Sequence, residues 1–151
     1  MKRIKLTQNK YTIIDDEDFK ELSKHNWFHS HNYAGRRVGL KNDYMHRILI
    51  NAPKNKSVDH INGNGLDNRK ENLRLCTHQQ NTRNRKPNLN TFSGFKGVSW
   101  HNRDKLWRAR ITLNSKEITI GYSKIKEKAI EMYNKAALKY HGEFARLNKI
   151  E

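Results

Sequence analysis

The stretch VDHINGNGLDNRKENLR, residues 58–74, is the part of this 151-residue chain that predicts its fold most directly. Two short strand-like runs, Val58–Ile61 and Leu73–Thr77, flank the polar segment Asn62-Gly63-Asn64-Gly65. Asn–Gly pairs favour left-handed backbone conformations, which are typical of loops. The sequence therefore predicts two strands joined by a long polar loop.

A helix is predicted immediately after the second strand. Thr77 and Gln80 have the spacing of a capping box, so a helix entered at Thr77 is expected over His78–Arg85. Together with the two strands, this helix gives a strand–loop–strand–helix unit over residues 53–86.

Residues 1–52 predict a small mixed N-terminal region. Tyr11–Ile14 has the composition of a strand, and the acidic run Asp15–Asp18 suits the first turn of a helix. Further elements are expected as two strands and one short helix or turn: Trp27–His29, Tyr33–Val38 and Tyr44–Ile50.

A linker is predicted over residues 87–94, where Pro, Asn, Ser and Gly occur without apolar periodicity. Beyond it, residues 95–151 alternate apolar and polar side chains with a period of two around Val98–Trp100, Trp107–Leu113 and Ile118–Ile120. Apolar residues then recur at helical spacing from Ile125 to Tyr140, with Ser123 as the expected N-cap and Gly142 as the stop. The pattern predicts three antiparallel strands packed on one helix.

The charge of the chain points to a polyanionic partner. There are 31 Lys and Arg residues against 15 Asp and Glu, a net charge of +16, and the excess is +4, +5 and +7 in residues 1–52, 53–90 and 91–151. A merely solubilising surface has the two signs nearly balanced, and a basic tail concentrates them at one end. Charge spread over several folded pieces is instead typical of a protein that lies along nucleic acid.

Composition also excludes several classes of protein. Apolar residues make up 34% of the chain against about 45–50% in ordinary globular domains, which argues against one large enzyme domain. No stretch resembles a membrane span or a signal peptide, so we expect no membrane association and a cytoplasmic location, in a bacterium or a phage-infected host. A single cysteine, Cys76, excludes an intrachain disulfide and a Cys-rich zinc site.

The Asp59-His60-Ile61 and Glu71-Asn72-Leu73-Arg74 segments, with Asn72 12 residues after His60 and Asn81 9 further on, resemble the HNH nuclease family over about residues 44–86. That family has the ββα-metal fold, and the resemblance implies cleavage of double-stranded DNA to 5′-phosphate and 3′-hydroxyl ends. Asn81 stands where many members have a third histidine, a variant found among phage and intron homing endonucleases.

The chemistry of phosphodiester hydrolysis explains these residue types. Imidazole has a suitable pKa to deprotonate water near neutral pH, so His60 is the candidate general base. Negative charge develops on the phosphorane and the leaving oxygen, and a hard divalent cation with oxygen ligands stabilises it. Asp59 and the Asn81 amide oxygen suit one Mg²⁺ or Mn²⁺ ion per site, with His78 on the same helical face as the rival ligand or a phosphate contact.

Two points about this predicted site stay open in the sequence. Successive strand residues point to opposite faces, so Asp59 and His60 share one site only if the strand is distorted or the phosphate lies across its edge. Asn72 is expected to hold the loop and to orient His60 by hydrogen bonding, the second catalytic role that we assign.

The C-terminal segments FKGVSW (95–100), KLWRARI (105–111) and IGY (120–122), with the closing HGEFARLN (141–148), resemble the ethylene-response-factor domain of plant transcription regulators. That domain lays a three-stranded sheet in the DNA major groove. Ser99 and His101 stand where the plant domains usually have arginines, so their target sequence is not carried over. The expected DNA contacts are Lys96, Ser99, His101, Arg103, Arg108, Arg110 and Thr119, with Arg83 and Arg85 from the preceding segment.

The sequence thus predicts an α+β protein: a ββα-metal nuclease unit plus a three-stranded antiparallel sheet packed on one helix. Its predicted function is that of a homing-type HNH endonuclease that cuts or nicks double-stranded DNA, and we favour a monomer. The alternative is a non-catalytic, sequence-specific DNA-binding regulator whose nuclease centre has decayed. An RNA-binding protein would explain the charge but not the acid, base and amide set.

Overall fold

The computed structural model describes residues 1–87 and 91–150, so residues 88–90 of the predicted linker lie outside the described part. The chain forms two compact units, Met1–Thr82 and Arg83–Glu151. Both units combine helices with antiparallel sheets, in agreement with a mixed α and β protein. In the described ranges, no helix has the length and apolarity that a bilayer span requires.

The first unit is built from short elements. In chain order these are β1 (Lys2–Lys5), β2 (Tyr11–Ile14), α1 (Asp16–Leu22), β3 (Phe28–Ser30), β4 (Tyr33–Val38), β5 (Lys41–Tyr44), α2 (Met45–Leu49), β6 (Ser57–His60), β7 (Leu73–Cys76) and α3 (His78–Arg83). The antiparallel pairings are β1 with β2, β4 with both β3 and β5, and β6 with β7.

Two of these strands, β1 and β5, escape prediction because their composition is highly polar. In β1 only Ile4 is buried, between lysines and an arginine. In β5 the sequence is Lys-Asn-Asp-Tyr, and none of its residues is fully buried. Both strands form because a neighbouring strand satisfies their backbone hydrogen bonds, a partner that local sequence does not reveal.

The core of the first unit lies between β1, β2, α1, β4 and α2. Its buried apolar residues are Ile4, Leu6, Ile14, Leu22, Trp27, Ala34 and Met45. The loop between β6 and β7 is attached to this core through β2, since Ile13 N donates to Leu66 O (2.8 Å) and Asn68 N donates to Ile13 O (2.8 Å). Strand β2 therefore anchors the polar loop.

The helix α3 begins as the sequence predicts but ends earlier. Thr77 N donates to Gln80 Oε1 (2.8 Å) and Gln80 N donates to Thr77 Oγ1 (3.2 Å), which are the two reciprocal bonds of a capping box. The helix was expected to reach Arg85 and instead ends at Arg83. From there the backbone carbonyls bind a side chain, because Lys96 Nζ donates to Arg83 O and Arg85 O.

The second unit is a three-stranded sheet with one helix. It contains β8 (Val98–His101), β9 (Leu106–Leu113), β10 (Lys116–Ser123) and α4 (Lys126–His141), and the strand order is β10-β9-β8. Alternation along β9 buries Ala109 and Ile111 against Ile130 and Tyr133 of α4. The predicted arrangement of three antiparallel strands and a helix is present.

Ser123 is not the N-cap of α4, contrary to expectation. It ends β10, and its hydroxyl accepts a hydrogen bond from Ile125 N (3.0 Å), while Ile125 occupies the N-cap position. The serine hydroxyl thus bonds to the turn that precedes the helix rather than to its first turn. At the other end, α4 stops at Gly142, which has a φ of +54°.

Candidate functional site

The predicted acid and base occupy successive positions of strand β6, which pairs with β7. The register pairs Asp59 with Arg74 and His60 with Leu73, and it runs without a shift from Ser57 to His60. The strand is therefore not distorted by a bulge between the two residues. Of the two arrangements that the sequence leaves open, the one that needs a distorted strand is therefore absent.

Asp59, the predicted metal ligand, is buried and ion-paired. The residue is 3% exposed, and Arg74 donates from Nε (2.9 Å) and from a terminal nitrogen (2.7 Å) to Oδ2. Such a charge-assisted, two-point contact orients the carboxylate firmly. The sequence does not reveal this pairing, although Arg74 lies opposite Asp59 once the register is known.

His60, the predicted base, is held by an amide. Its Nε2 lies 3.0 Å from Asn68 Oδ1, and the ring is 5% exposed. Burial lowers the pKa of His60, while the Asn68 hydrogen bond and the Asp59 and Asp67 carboxylates act in the opposite direction. The lowered pKa favours the neutral imidazole, which is the form a general base requires.

Aromatic rings enclose His60 on the side of the N-terminal region. Its ring centroid lies 5.8 Å from that of Tyr33 and 5.2 Å from that of His46, and the Tyr44 ring stacks on His46 at 5.8 Å. Burial, followed by the repulsion of His60 and Arg47, lowers the pKa of His46 to about 3. His46 is therefore a neutral residue that packs beside the base.

Asn72 binds the loop. Its Nδ2 donates to Asn62 Oδ1 (3.1 Å) and to Asp67 O (2.8 Å), and its Oδ1 accepts from Asn62 N (3.0 Å). The expected loop-holding contacts are thus present. His60 Nε2 has a hydrogen bond with Asn68 Oδ1, and the orienting role expected of Asn72 stays a prediction.

Other polar side chains of the loop also form hydrogen bonds within it. Asn62 and Asn64 accept from backbone N–H groups two residues ahead, at 2.8 and 3.1 Å. Arg69 donates to both carboxylate oxygens of Asp67, and this contact is the main cause of the lowered pKa of Asp67. Polar side chains thus hold much of the loop in shape, while Leu66 packs against the apolar core of the first unit.

Gly65 explains how closely the loop approaches β4. A Cβ added at Gly65 would lie 2.3 Å from Asn32 O and 2.9 Å from the Tyr33 ring. Only glycine leaves room for this contact. The close approach holds Tyr33, and therefore the aromatic surroundings of His60, against the loop.

Asn81 and His78 both lie on α3, where the capping box positions them. Asn81 N donates to Thr77 O (3.0 Å), and His78 is exposed. The buried Cys76 thiol connects this helix to β6: burial and then the Asp59 carboxylate raise its pKa, while the Asn81 backbone N–H lowers it. Cys76 Sγ also donates to Ser57 O of β6 (3.5 Å).

The donor set suits a hard divalent cation. No group of three or more His, Cys, Asp or Glu side chains converges within the described part of the chain. Asp59 and Asn81 would supply one carboxylate and one amide oxygen, so water and phosphate oxygens would complete the shell, as Mg²⁺ commonly has it. A cation at Asp59 would share the carboxylate with the Arg74 guanidinium.

Asn68 and Thr12 are the site residues that sequence reasoning missed. Both are fully buried, and Asn68 Nδ2 donates to Thr12 Oγ1 (2.8 Å). Asn68 follows a polar loop and Thr12 lies 56 residues before it in a short strand, so no local pattern marks either residue. The only available signal was the concentration of asparagine around the predicted base.

The predicted DNA-facing side chains of the second unit largely share one sheet face. Ser99 is paired with Arg108, and Thr119 with Arg110, on the face opposite the buried Ala109. Glu117 interrupts the basic character of this face, because it contacts Arg110 at 2.6 Å and Arg108 at 3.8 Å. The face therefore presents two arginines that are partly neutralised.

Other predicted contacts have partners within the protein. Lys96 Nζ is directed at the Arg83 and Arg85 carbonyls, and burial lowers its pKa to about 8, with Arg146 and Arg85 contributing. This ammonium group caps backbone rather than facing outward, which argues against the DNA contact expected for Lys96. Arg103 is exposed and pairs with Asp104 (2.8 Å), which also lies 3.2 Å from His101.

The segment that contains these site residues is similar to a known protein family. The profile of the HNH endonuclease family matches residues 51–83. Protein 3.8 of Escherichia phage T7 is 34% identical over 94 residues, which cover 62% of this chain and 77% of the phage protein. A protein named "Uncharacterized HNH endonuclease L560" of Acanthamoeba polyphaga mimivirus is 31% identical over 147 residues, covering 93% of this chain and 76% of the viral protein. No solved structure matches the chain significantly.

Proposed function

Because this chain belongs to the HNH endonuclease family, we propose that it is a metal-dependent endonuclease that cuts or nicks double-stranded DNA. The observation that carries the proposal is the environment of His60. A buried imidazole with a lowered pKa, held through Nε2 by Asn68, is prepared to accept a proton at neutral pH.

In the proposed reaction His60 takes a proton from water, whose oxygen attacks the phosphorus of the scissile phosphodiester. The P–O3′ bond breaks and the departing 3′ oxygen takes up a proton from solvent, so the products end in a 5′-phosphate and a 3′-hydroxyl. Asn72 keeps the loop after His60 closed, and the Tyr33 and His46 rings keep bulk water from one side of the imidazole. A misaimed base loses much of its effect, so these contacts contribute to the rate.

Asp59 and Asn81 would hold the single Mg²⁺ or Mn²⁺ ion. When bound, the cation would neutralise negative charge on the phosphate and on the leaving oxygen. The rival ligand is His78. Asn81→Ala is expected to raise the metal concentration needed for half-maximal cutting, with His78→Ala as the matched control on the same helix.

We assign DNA reading to residues 95–151 and catalysis to residues 53–86, with homing as the biological role. Support for a DNA-reading face comes from Arg108 and Arg110, which project from β9 opposite its buried side, and from the net charge of +7 in residues 91–151. The likeness to the ethylene-response-factor sheet is part of this proposal. Arg83, Arg85, Arg103, Ser99, His101 and Thr119 are the further proposed contacts.

One observation favours the second candidate, a DNA-binding regulator with a decayed nuclease centre. The Arg74 guanidinium is bonded to the Asp59 carboxylate, as it would be if the acid were purely structural. Against this, Asn72 and Asn81 accompany the acid and base at the spacing of the nuclease motif, and a regulator has no use for that set.

Supercoiled plasmid incubated with and without Mg²⁺ or Mn²⁺ tests the proposal. The expected result is metal-dependent conversion to open-circular DNA, linear DNA or both, separated on an agarose gel. Binding without any cutting, over a range of duplex sequences that includes DNA from the source genome, would favour the regulator.

A further inference from the structure

Three polar side chains form a buried series that ends at the proposed base. Thr12 and Asn68 are 0% exposed and His60 is 5% exposed. Asn68 Nδ2 donates to Thr12 Oγ1 (2.8 Å), and Asn68 Oδ1 lies 3.0 Å from His60 Nε2. Buried polar groups are costly unless they are satisfied, so the series is a specific feature of the site.

The direction of every hydrogen bond in this series follows from its far end. Thr12 Oγ1 lies 2.9 Å from Leu66 O and 3.9 Å from Met45 Sδ, and both of these atoms can only accept. The single hydroxyl hydrogen of Thr12 is therefore directed away from Asn68. It follows that Oγ1 accepts from Asn68, which fixes the amide with its NH₂ group towards Thr12 and its oxygen towards His60.

The amide orientation in turn specifies the histidine tautomer. An amide oxygen only accepts, so the hydrogen between His60 and Asn68 belongs to His60 Nε2. A neutral imidazole carries one ring hydrogen, and with that hydrogen on Nε2 the lone pair is on Nδ1. Without Thr12, rotation of the Asn68 amide would offer an N–H to Nε2 and move the ring hydrogen to Nδ1.

The backbone makes this arrangement rigid. Ile13, the neighbour of Thr12 in β2, bonds to Leu66 O through its N–H and to Asn68 N through its carbonyl, both at 2.8 Å. Thr12 therefore stands at a fixed distance from the loop that carries Asn68. A strand outside the matched family segment, residues 51–83, takes part in holding the base.

We propose that Thr12 and Asn68 are positioning residues that keep neutral His60 in the tautomer with hydrogen on Nε2, so that Nδ1 is the atom that takes the proton from water. This inference rests on the proposed function, in which His60 is the base.

The test compares Thr12→Val with Thr12→Ser in the full chain. Valine has the shape of threonine without the hydroxyl, and serine restores the hydroxyl without the methyl group. The ring nitrogens are observed directly by nitrogen-15 NMR of histidine-labelled protein at a pH where His60 is neutral, with His60→Asn used to assign its signals. Plasmid cutting and duplex affinity are measured on the same samples.

We expect hydrogen on Nε2 of His60 in the unmodified protein and in Thr12→Ser. In Thr12→Val we expect a mixture of tautomers or hydrogen on Nδ1, a cutting rate about 10-fold lower, and unchanged duplex affinity. A merely structural role for Thr12 would not move the ring hydrogen. Hydrogen on Nδ1 in the unmodified protein, or an unchanged tautomer in folded Thr12→Val, would overturn the proposal.

A second variant covers the case in which Thr12→Val does not fold. Asn68→Asp presents only acceptor oxygens to His60, so it should keep the hydrogen on Nε2, and Thr12 can turn its hydroxyl hydrogen to the new carboxylate. Hydrogen on Nδ1 in Asn68→Asp would contradict the proposal. Failure of the nuclease function itself is distinguishable, since it appears as absence of cutting by the unmodified protein whatever the tautomer.

Discussion

The loop of residues 61–72 and the sheet of the second unit are stabilised by different forces. The loop encloses buried polar side chains, among them Asp67, Asn68 and Asn72, which hydrogen-bond to backbone and to one another. The sheet instead buries Ala109 and Ile111 against α4. Hydrogen bonds have direction and apolar contacts have little, so the loop can orient a reactive group, whereas the sheet provides a stable surface.

The comparison predicts different sensitivities in the two regions. A substitution of a polar loop residue should lower the cutting rate more than it lowers the free energy of unfolding, because it misaligns a catalytic side chain. A larger side chain at a tightly packed position of the sheet should mainly lower the free energy of unfolding.

The largest effect is expected for His60→Ala, which removes proton abstraction. Cutting should fall by about 100-fold or more, while duplex affinity changes little because the proposed DNA-facing arginines are in the other unit. Single-turnover cleavage and a binding titration without metal measure the two quantities. His29→Ala, a histidine on β3, is the matched control and should cut normally. Equal cutting by both variants would show that His60 is not the base.

The second expectation concerns two glycines of the sheet unit that share a positive φ. A Cβ at Gly97 (φ +69°) would lie 2.2 Å from the Tyr133 ring and 2.5 Å from Arg110 O, whereas Gly94 (φ +70°) has nothing within 4 Å. Gly94→Ala should lower the free energy of unfolding by about 1 kcal/mol, from backbone strain alone. Gly97→Ala should cost about 2 kcal/mol more, from overpacking. Denaturant unfolding of both variants gives the difference, and equal costs would show that the sheet tolerates steric change.

The third expectation is a loss of stability of the first unit in acid. His46 has a pKa of about 3 in the folded protein against 6.5 in the unfolded chain, so only the unfolded state takes up its proton between these values. The free energy of unfolding should be independent of His46 above pH 6.5 and fall by about 1.4 kcal/mol per pH unit below it. Hydrogen exchange of the β6 amides at pH 7, 6 and 5 measures this loss.

His46→Phe is the control for the acid effect. Phenylalanine keeps a ring beside Tyr33 and Tyr44 but does not titrate, and within the described residues His46 Nδ1 has no hydrogen-bond partner to lose. The slope should therefore be shallower in this variant. An identical slope would assign the acid sensitivity to other groups, such as His60, whose pKa is also lowered.

The smallest effect is expected for the double change of Arg108 and Arg110 to Ala. Each lost phosphate contact should reduce the slope of log affinity against log salt by about 0.9, so the double variant should lose about 2. Stability should change little, because ion pairs that remain partly exposed, such as those with Glu117, contribute little. Lys105→Ala, outside the assigned face, serves as the control. An unchanged slope in the double variant would remove the DNA-reading role from this face.

The elements of the fold that the sequence predicts are those with local causes. The capping box of Thr77 and Gln80 spans four residues, and the alternation along β9 depends only on the period of a strand. These predictions are confirmed. The strands β1 and β5 were missed because their cause is a partner strand. Helix α3 ends at Arg83, two residues earlier than predicted, and Lys96 Nζ donates to the carbonyls of Arg83 and Arg85.

Within the candidate site, the sequence by itself determined which chemical groups are present: an acid, an imidazole and two amides at the spacing of a nuclease motif. Only the tertiary structure decided how they are used. The pairing of Asp59 with Arg74 depends on strand register, and the contact of His60 with Asn68 depends on a loop anchored by Thr12, 56 residues earlier in the chain. Residue identity sets what a group can donate or accept, whereas the partner that it meets depends on how distant segments pack, which no local pattern specifies.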